Sequence, residues 1–232
     1  MPVLELVTSS GLGSLLGMRH ALEPDHLAAV STLVTRERSS AKAILLGACW
    51  GIGHTLSLVV VGAALVLLRA EMPRGVADAF ELGVALMLVG LGVRAILQAA
   101  RQGADGPARL HHHGRVVHRH AGAPAHLHVG RWTLARRPLL VGAVHGLAGS
   151  GALTALVLTT LPTTAARLAY ISLFGFGSTV GMAALSGLFG WPLARWGANR
   201  GLARAVSVAV GLVSVALGVA WGYPIISHAL SN

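Results

Sequence analysis

Cysteine occurs once, at Cys49, so the 232-residue chain can hold no internal disulfide and no C-x-x-C redox or zinc pair. Charge is scarce too. Asp, Glu, Lys and Arg make up 11% of the residues, against about a quarter in an ordinary soluble domain. Acid is scarcest, with 8 Asp and Glu against 18 Lys and Arg, and thirty glycines accompany them. That balance excludes an acidic disordered tail and a coiled coil. No H-E-x-x-H occurs and no serine–lysine arrangement stands out, which argues against an intramembrane protease and, more broadly, against an enzyme. Apolar residues dominate instead: 54% are hydrophobic and the mean hydropathy is +0.68. The formal charge of +10 would suggest nucleic acid in a soluble protein. In a chain this apolar it reports membrane topology, and no nucleic-acid partner is expected.

A bilayer core needs roughly 20 consecutive apolar residues per helix. Ala43 to Leu68 carries no charge, nor does Pro138 to Ala166 or Leu168 to Ala194, the last two parted by Arg167 alone. Ala205 to Asn232 has only His228, and Val76 to Ala100 keeps Asp78, Glu81 and Arg94 toward its ends. Charges near helix ends can reach the interface. The first stretch, about 11–35, is the odd one, with Arg19, His20, Glu23, Asp25 and His26 inside it. A signal peptide is not expected at the N-terminus, because no basic region precedes Leu4 to Leu16. Six spans are therefore predicted, at about 11–35, 43–68, 76–100, 138–160, 167–190 and 203–226.

The loops set the orientation. Loops one, three and five together carry thirteen Lys and Arg, whereas the opposite side has Arg69, Arg74 and Arg167. By the positive-inside rule the odd loops face the cytoplasm and both termini face out, across the inner membrane of a bacterium.

The halves resemble each other. Gly17-Met-Arg-His20-Ala-Leu22 lies against Gly142-Ala-Val-His145-Gly-Leu147, and Gly51-Ile-Gly53-His54-Thr55 against Gly175-Phe-Gly177-Ser178-Thr179. Val89-Gly-Leu91 against Val210-Gly-Leu212 is a weaker third match. Three spans per half is an odd number, so the second half must be inverted. Inverted repeats of this kind carry their substrate sites near the midplane. The predicted organisation is all-α: residues 1–100 a first three-helix repeat, 101–137 a His/Arg-rich cytoplasmic loop, 138–232 a second three-helix repeat.

The chemistry concentrates in His20-Ala-Leu-Glu23-Pro24-Asp25-His26. Each ionisable group in a span costs about 2.5–3.5 kcal/mol on insertion scales, so a cluster needs a compensating purpose. Two imidazoles with carboxylates suit a borderline divalent cation. On an ideal helix His20 and His26 would sit about 120° apart, but Pro24 removes a backbone donor and loosens the turn between them. The bland alternative is a polar helix contact in which Arg19 neutralises Glu23 or Asp25. Counting from the outer face, Asp25 and His26 lie about 18–20 Å deep, and His54 lies about 17 Å from the cytoplasmic end of its helix. His54 and His145 are thus candidate ligands, against a packing role beside glycines. Glu23, Ser150, Ser178 and Thr179 are weaker supporting candidates, and Met182 reads as core.

Taken together, His20-x4-Asp25-His26 with Pro24, the Gly53-His54-Thr55 element and His145-Gly-Leu-Ala-Gly-Ser150 resemble the signature elements of the nickel/cobalt transporter superfamily, in its UreH (NicO-type) branch. The resemblance covers all six spans. It implies a permease that moves Ni²⁺ or Co²⁺ as substrate, with no permanent cofactor, His20, Asp25 and His26 as signature residues and His54 in support. The chain departs from eight-helix members of the superfamily and lacks the acidic motifs of their later helices.

Loop three adds His111, His112, His113, His118, His120, His126 and His128, set among Gly, Pro and Arg. Such a tract cannot build a core; it reads as a solvated linker and a weak metal buffer. Competing readings are metal efflux in place of uptake, and a small-solute exporter for which the histidines are incidental. The choice of metal, the coupling ion and any homo-oligomer are not legible in these residues.

Overall fold

A computed structural model describes residues 3–35, 37, 39–101, 110–113, 116–119, 126–129, 132–196 and 200–231. Among these residues seven helices form the body: α1 (Val3–His20), α2 (Pro24–Val34), α3 (Ser40–Leu68), α4 (Arg74–Arg101), α5 (Arg136–Thr160), α6 (Thr164–Trp196) and α7 (Arg200–Ser231). Of these, α3 to α7 are the five that are long and apolar enough to cross a membrane. Their outward faces are greasy: Leu67, Leu68, Leu140, Phe176, Leu188 and Leu212 are all exposed. So much exposed apolar surface is what lipid covers, and the chain is a membrane protein.

The predicted first span departs from a single helix. The chain stops being helical after His20 and restarts at Pro24, with Glu23 extended at φ −64°, ψ 148°. Proline explains the restart. It disfavours helical geometry in the preceding residue, lacks an N–H, and fits the first position of a new helix. The backbone closes α1 with short bonds from Leu22 N–H to the Arg19 carbonyl (2.9 Å) and from Glu23 N–H to that of His20 (3.0 Å).

Part of loop three also departs from expectation. It holds two antiparallel hairpins, β1 (Leu110–His113) with β2 (Val116–Arg119), and β3 (His126–Val129) with β4 (Trp132–Ala135). Apart from these short hairpins the described architecture is all-helical, as expected. Valines at 116, 117 and 129 and Thr133 favour extended backbone, and hairpin pairing needs no buried core. His120 lies outside the described residues.

Glycine sets how the helices meet. A Cβ on Gly142 of α5 would strike the carbonyl of Trp50 on α3, and one on Gly17 of α1 would strike the carbonyl of Phe174 on α6. Likewise Gly53 abuts the Leu139 carbonyl, while Gly177 abuts that of Ser14. Gly51 packs on Thr179, and Gly175 packs on Thr55. Only a residue without a side chain allows such backbone approach in lipid. The order of contacts gives direction. Along α3, Gly47, Gly51 and Gly62 meet Ser186, Thr179 and Ile171, so α3 and α6 are antiparallel. Gly142 and Gly146 meet Trp50 and His54, so α5 and α3 run the same way.

Hydroxyls supply the remaining glue. Thr55 Oγ1 donates to the Gly175 carbonyl (2.6 Å) and lies 2.8 Å from Thr179 Oγ1. Ser214 Oγ donates to the Leu88 carbonyl (2.8 Å), tying α7 to α4. Arg167, the lone charge between two apolar runs, donates to the carbonyls of Leu161 and Leu158 just past and within the last turn of α5.

A clean test of the packing follows. Gly142→Ala is expected to lower stability by about 1–3 kcal/mol, since its methyl cannot be accommodated without moving α3. Gly90 meets nothing within 4 Å. Gly90→Ala is therefore expected to stay within about 1 kcal/mol, on the stabilising side. Thermal unfolding in one detergent reads both.

Candidate metal centre

The break between α1 and α2 builds the site. His20 ends α1, and Asp25 and His26 open α2, so one ring comes down from each half-helix. Their centroids end 4.4 Å apart, a meeting that a continuous helix would forbid. His54, from the middle of α3, brings its ring centroid to 5.4 Å from His20 and 5.2 Å from His26. His145, from the middle of α5, stands 4.1 Å from His26. The close approach of Gly142 and Gly146 to α3 is what lets α5 deliver that ring. His26, His54 and His145 are buried; His20 is partly so.

Two carboxylates organise the rings. Glu23 lies 3.0 Å from His20 Nδ1. Asp25 uses both oxygens, Oδ1 at 3.1 Å from His26 Nδ1 and Oδ2 at 2.8 Å from His145 Nε2. Oδ1 also accepts the His26 backbone N–H (2.9 Å), at the helix N-terminus where a negative charge is favoured. Neither carboxylate is neutralised by Arg19, which is exposed; their partners are histidine ring nitrogens. The bland alternative of an Arg19 contact is thus not what the structure holds.

An ionised carboxylate only accepts, so each imidazole nitrogen facing one carries the proton and the opposite nitrogen keeps its lone pair. Those opposite nitrogens, His20 Nε2, His26 Nε2 and His145 Nδ1, are buried and have no protein partner, and the same holds for both nitrogens of His54. Ligand atoms of His20, His26 and His54 all lie within 4.8 Å of one another, as do those of Asp25, His26 and His145. His26 belongs to both sets. Neutral imidazoles backed by carboxylates are the usual donors for a borderline divalent ion, at about 2.0–2.1 Å from the metal.

The weaker candidates divide. Glu23 reaches His20 directly. Ser150 Oγ bonds back to the Leu147 carbonyl of its own helix (2.6 Å), and Thr179 is engaged with Thr55 and the Gly175 carbonyl. Ser178 is buried and without a partner, beside Gly17. Met182 sits in the apolar cluster with Ala21, Val30 and Trp50. The side chains of the loop-three histidines lie outside what the structure describes.

A cavity of about 400 Å³ opens on the site, lined by His20, Glu23, Asp25, His26 and His145 together with Glu81 of α4 and Trp221 of α7. Two participants escape the sequence reading. Trp50, four positions before His54 and so on its helix face, lies 5.5 Å from His26 and 5.8 Å from His145 by ring centroids. That i, i+4 spacing is legible in the sequence. Glu81 reads there only as a charge toward a helix end, because its neighbours come from distant α7.

Comparison with known proteins bears on the same elements. The family profile described as "High-affinity nickel-transport protein" (NicO) matches residues 6–223. A urease accessory protein, UreH, from Bacillus sp. (strain TB-90) is 31% identical over 224 residues, covering 96% of this chain and 94% of that protein. The Chloroplast protein FOR GROWTH AND FERTILITY 1 of Arabidopsis thaliana is 29% identical over 189 residues, covering 79% of this chain and 50% of its own. No solved structure matches.

Proposed function

The chain belongs to the NicO family of high-affinity nickel-transport proteins, a family of transporters and not of enzymes, and from that premise we propose that it is a permease for Ni²⁺ or Co²⁺. The single observation that carries the reading is the convergence of unpaired, buried imidazole nitrogens from α1, α2 and α3 behind two carboxylates. His20, His26 and His54 ligate the ion, Asp25 and Glu23 hold the rings and offset its charge, and His145 forms a second station with Asp25 and His26. The family's description favours nickel as substrate; imidazole donors by themselves would accept cobalt equally.

The architecture proposed for this work is six spans in two inverted repeats, residues 1–100 and 138–232, with α1 and α2 together making the first span. Mated contacts support it. Gly17 on Phe174 answers Gly142 on Trp50, Gly53 on Leu139 answers Gly177 on Ser14, and Gly51 on Thr179 answers Gly175 on Thr55. Thr55 and Thr179, 124 positions apart, bond to each other, as residues astride a two-fold axis do. A broken helix at the repeat interface is where inverted-repeat transporters hold their cargo. Residues 101–137 join the halves on the cytoplasmic side of the bacterial inner membrane, where their histidines buffer metal, and both termini face out.

Uptake of ⁶³Ni by cells lacking their own nickel permease is expected to rise on expression and to fall with added Co²⁺. Export of preloaded ⁶³Ni would reverse the direction, and indifference to both metals would leave a non-metal solute. A fluorescent reporter that matures only in the cytoplasm, fused after Asn232, is expected to stay dark. Bright cells would invert the topology.

A further inference from the structure

Glu81 stands apart from the ligand cluster, yet its position is unusual. It lies seven residues into α4, about 10 Å from the helix start. A carboxylate at such depth is costly against lipid and is found where a water-filled cavity reaches it. Glu81 lines two spaces at once. One is the cavity that continues to His26 and His145. The other is a groove of about 390 Å³ between α4 and α7, walled by Leu217, Trp221 and Pro224. Glu81 and Trp221 are the residues common to both, so they stand where the groove meets the cavity. Glu81 makes no ion pair with any described residue, whereas Glu23 and Asp25 are engaged with histidines. At the inner end of the same cavity, His26 and His145 are almost wholly buried and each keeps a ring nitrogen unpaired.

We propose that Glu81 is the capture residue of the pathway: it draws hydrated divalent cations into the groove between α4 and α7 and passes them inward to the histidine cluster. This deepens the permease reading and rests on it. A free carboxylate at the mouth of a groove with apolar walls focuses the local field and concentrates cations there, an effect that speeds association and fades with ionic strength. It does not alter the ligand set, so the slow step at saturation is unchanged. Glu81 acts from the outer face, because α4 begins and α7 ends on the side where the topology proposed above puts the periplasm. Asp78 is the internal comparison. It lies one turn nearer the helix start and is exposed, as Glu81 is, but it lines neither space.

The test is initial-rate ⁶³Ni uptake by cells over a range of external Ni²⁺, at low and high ionic strength, with membrane abundance measured in parallel. Glu81→Gln is expected to raise KM about tenfold while Vmax per transporter stays within twofold, and to lose most of the salt dependence. Glu81→Asp is expected to recover part of the shift, and Asp78→Asn to leave KM within twofold. An unchanged KM in Glu81→Gln, or a fall in Vmax alone, overturns the capture role while leaving the permease intact. A merely structural Glu81 would lower abundance or Vmax and leave the salt dependence in place. Should the unaltered chain neither take up ⁶³Ni nor, once purified, bind it at equilibrium, the permease reading falls and Glu81 falls with it.

Discussion

Asp25→Asn is expected to bring metal uptake down to the background of cells without the transporter, at wild-type membrane abundance. The substitution keeps the shape of the side chain and changes two things. It removes the charge that offsets a divalent ion where water is scarce, and it replaces two acceptors with one acceptor and one donor. In the native site Asp25 accepts from His26 Nδ1 and from His145 Nε2. Asparagine can accept from one of them only. The other ring must then turn a lone pair toward the amide, which moves its proton to the nitrogen that would bind metal. A ring in that state cannot ligate. Losing one such partner typically costs 10–100-fold in metal affinity, and here two rings and a charge depend on the same group. Insertion should not suffer, because removing an intramembrane charge lowers its cost. The assay is ⁶³Ni uptake normalised to transporter in the membrane. Normal uptake at normal abundance would sink the site assignment.

His54→Leu is expected to separate stability from function. His54 is fully buried and neither ring nitrogen has a protein partner. A buried polar group without a partner costs about 1–3 kcal/mol, so an apolar side chain of similar bulk should leave the metal-free protein as stable as before or more so. Metal-dependent stabilisation should vanish together with uptake. In the native chain that stabilisation amounts to about 2.7 kcal/mol when free metal stands at one hundred times Kd. Thermal unfolding with and without Ni²⁺ reads both quantities in one experiment. A variant that unfolds more easily yet keeps its nickel-dependent shift would mark His54 as packing and not as ligand.

Membrane character was legible because composition reports it directly: uncharged runs of bilayer length cannot stay in water. The candidate site was legible for the same kind of reason, since His20, Asp25 and His26 are ionisable groups where ionisable groups are costly. Even the break at Pro24 was local, because proline acts on its own turn and on the residue before it. Length and hydropathy average over that turn, so they gave the extent of the first span while Pro24 alone marked where it breaks. The hairpins of loop three missed because histidine-rich composition says nothing about backbone pairing.

What the sequence by itself determined is therefore the solvent and which ionisable residues stand inside an apolar stretch; the register of the two halves is what it proposes. Each depends on composition, on neighbouring residues, or on a pattern repeated along one chain. Only the tertiary structure decided which ring nitrogens of His20, His26 and His145 meet a carboxylate, that Thr179 bonds across to Thr55, and that Glu81 opens on the same cavity as His145. Those facts depend on ångström-scale approaches between residues far apart in the chain, such as Gly142 on Trp50 or α4 on α7, and a lone pair's direction is fixed only when the helix opposite has arrived.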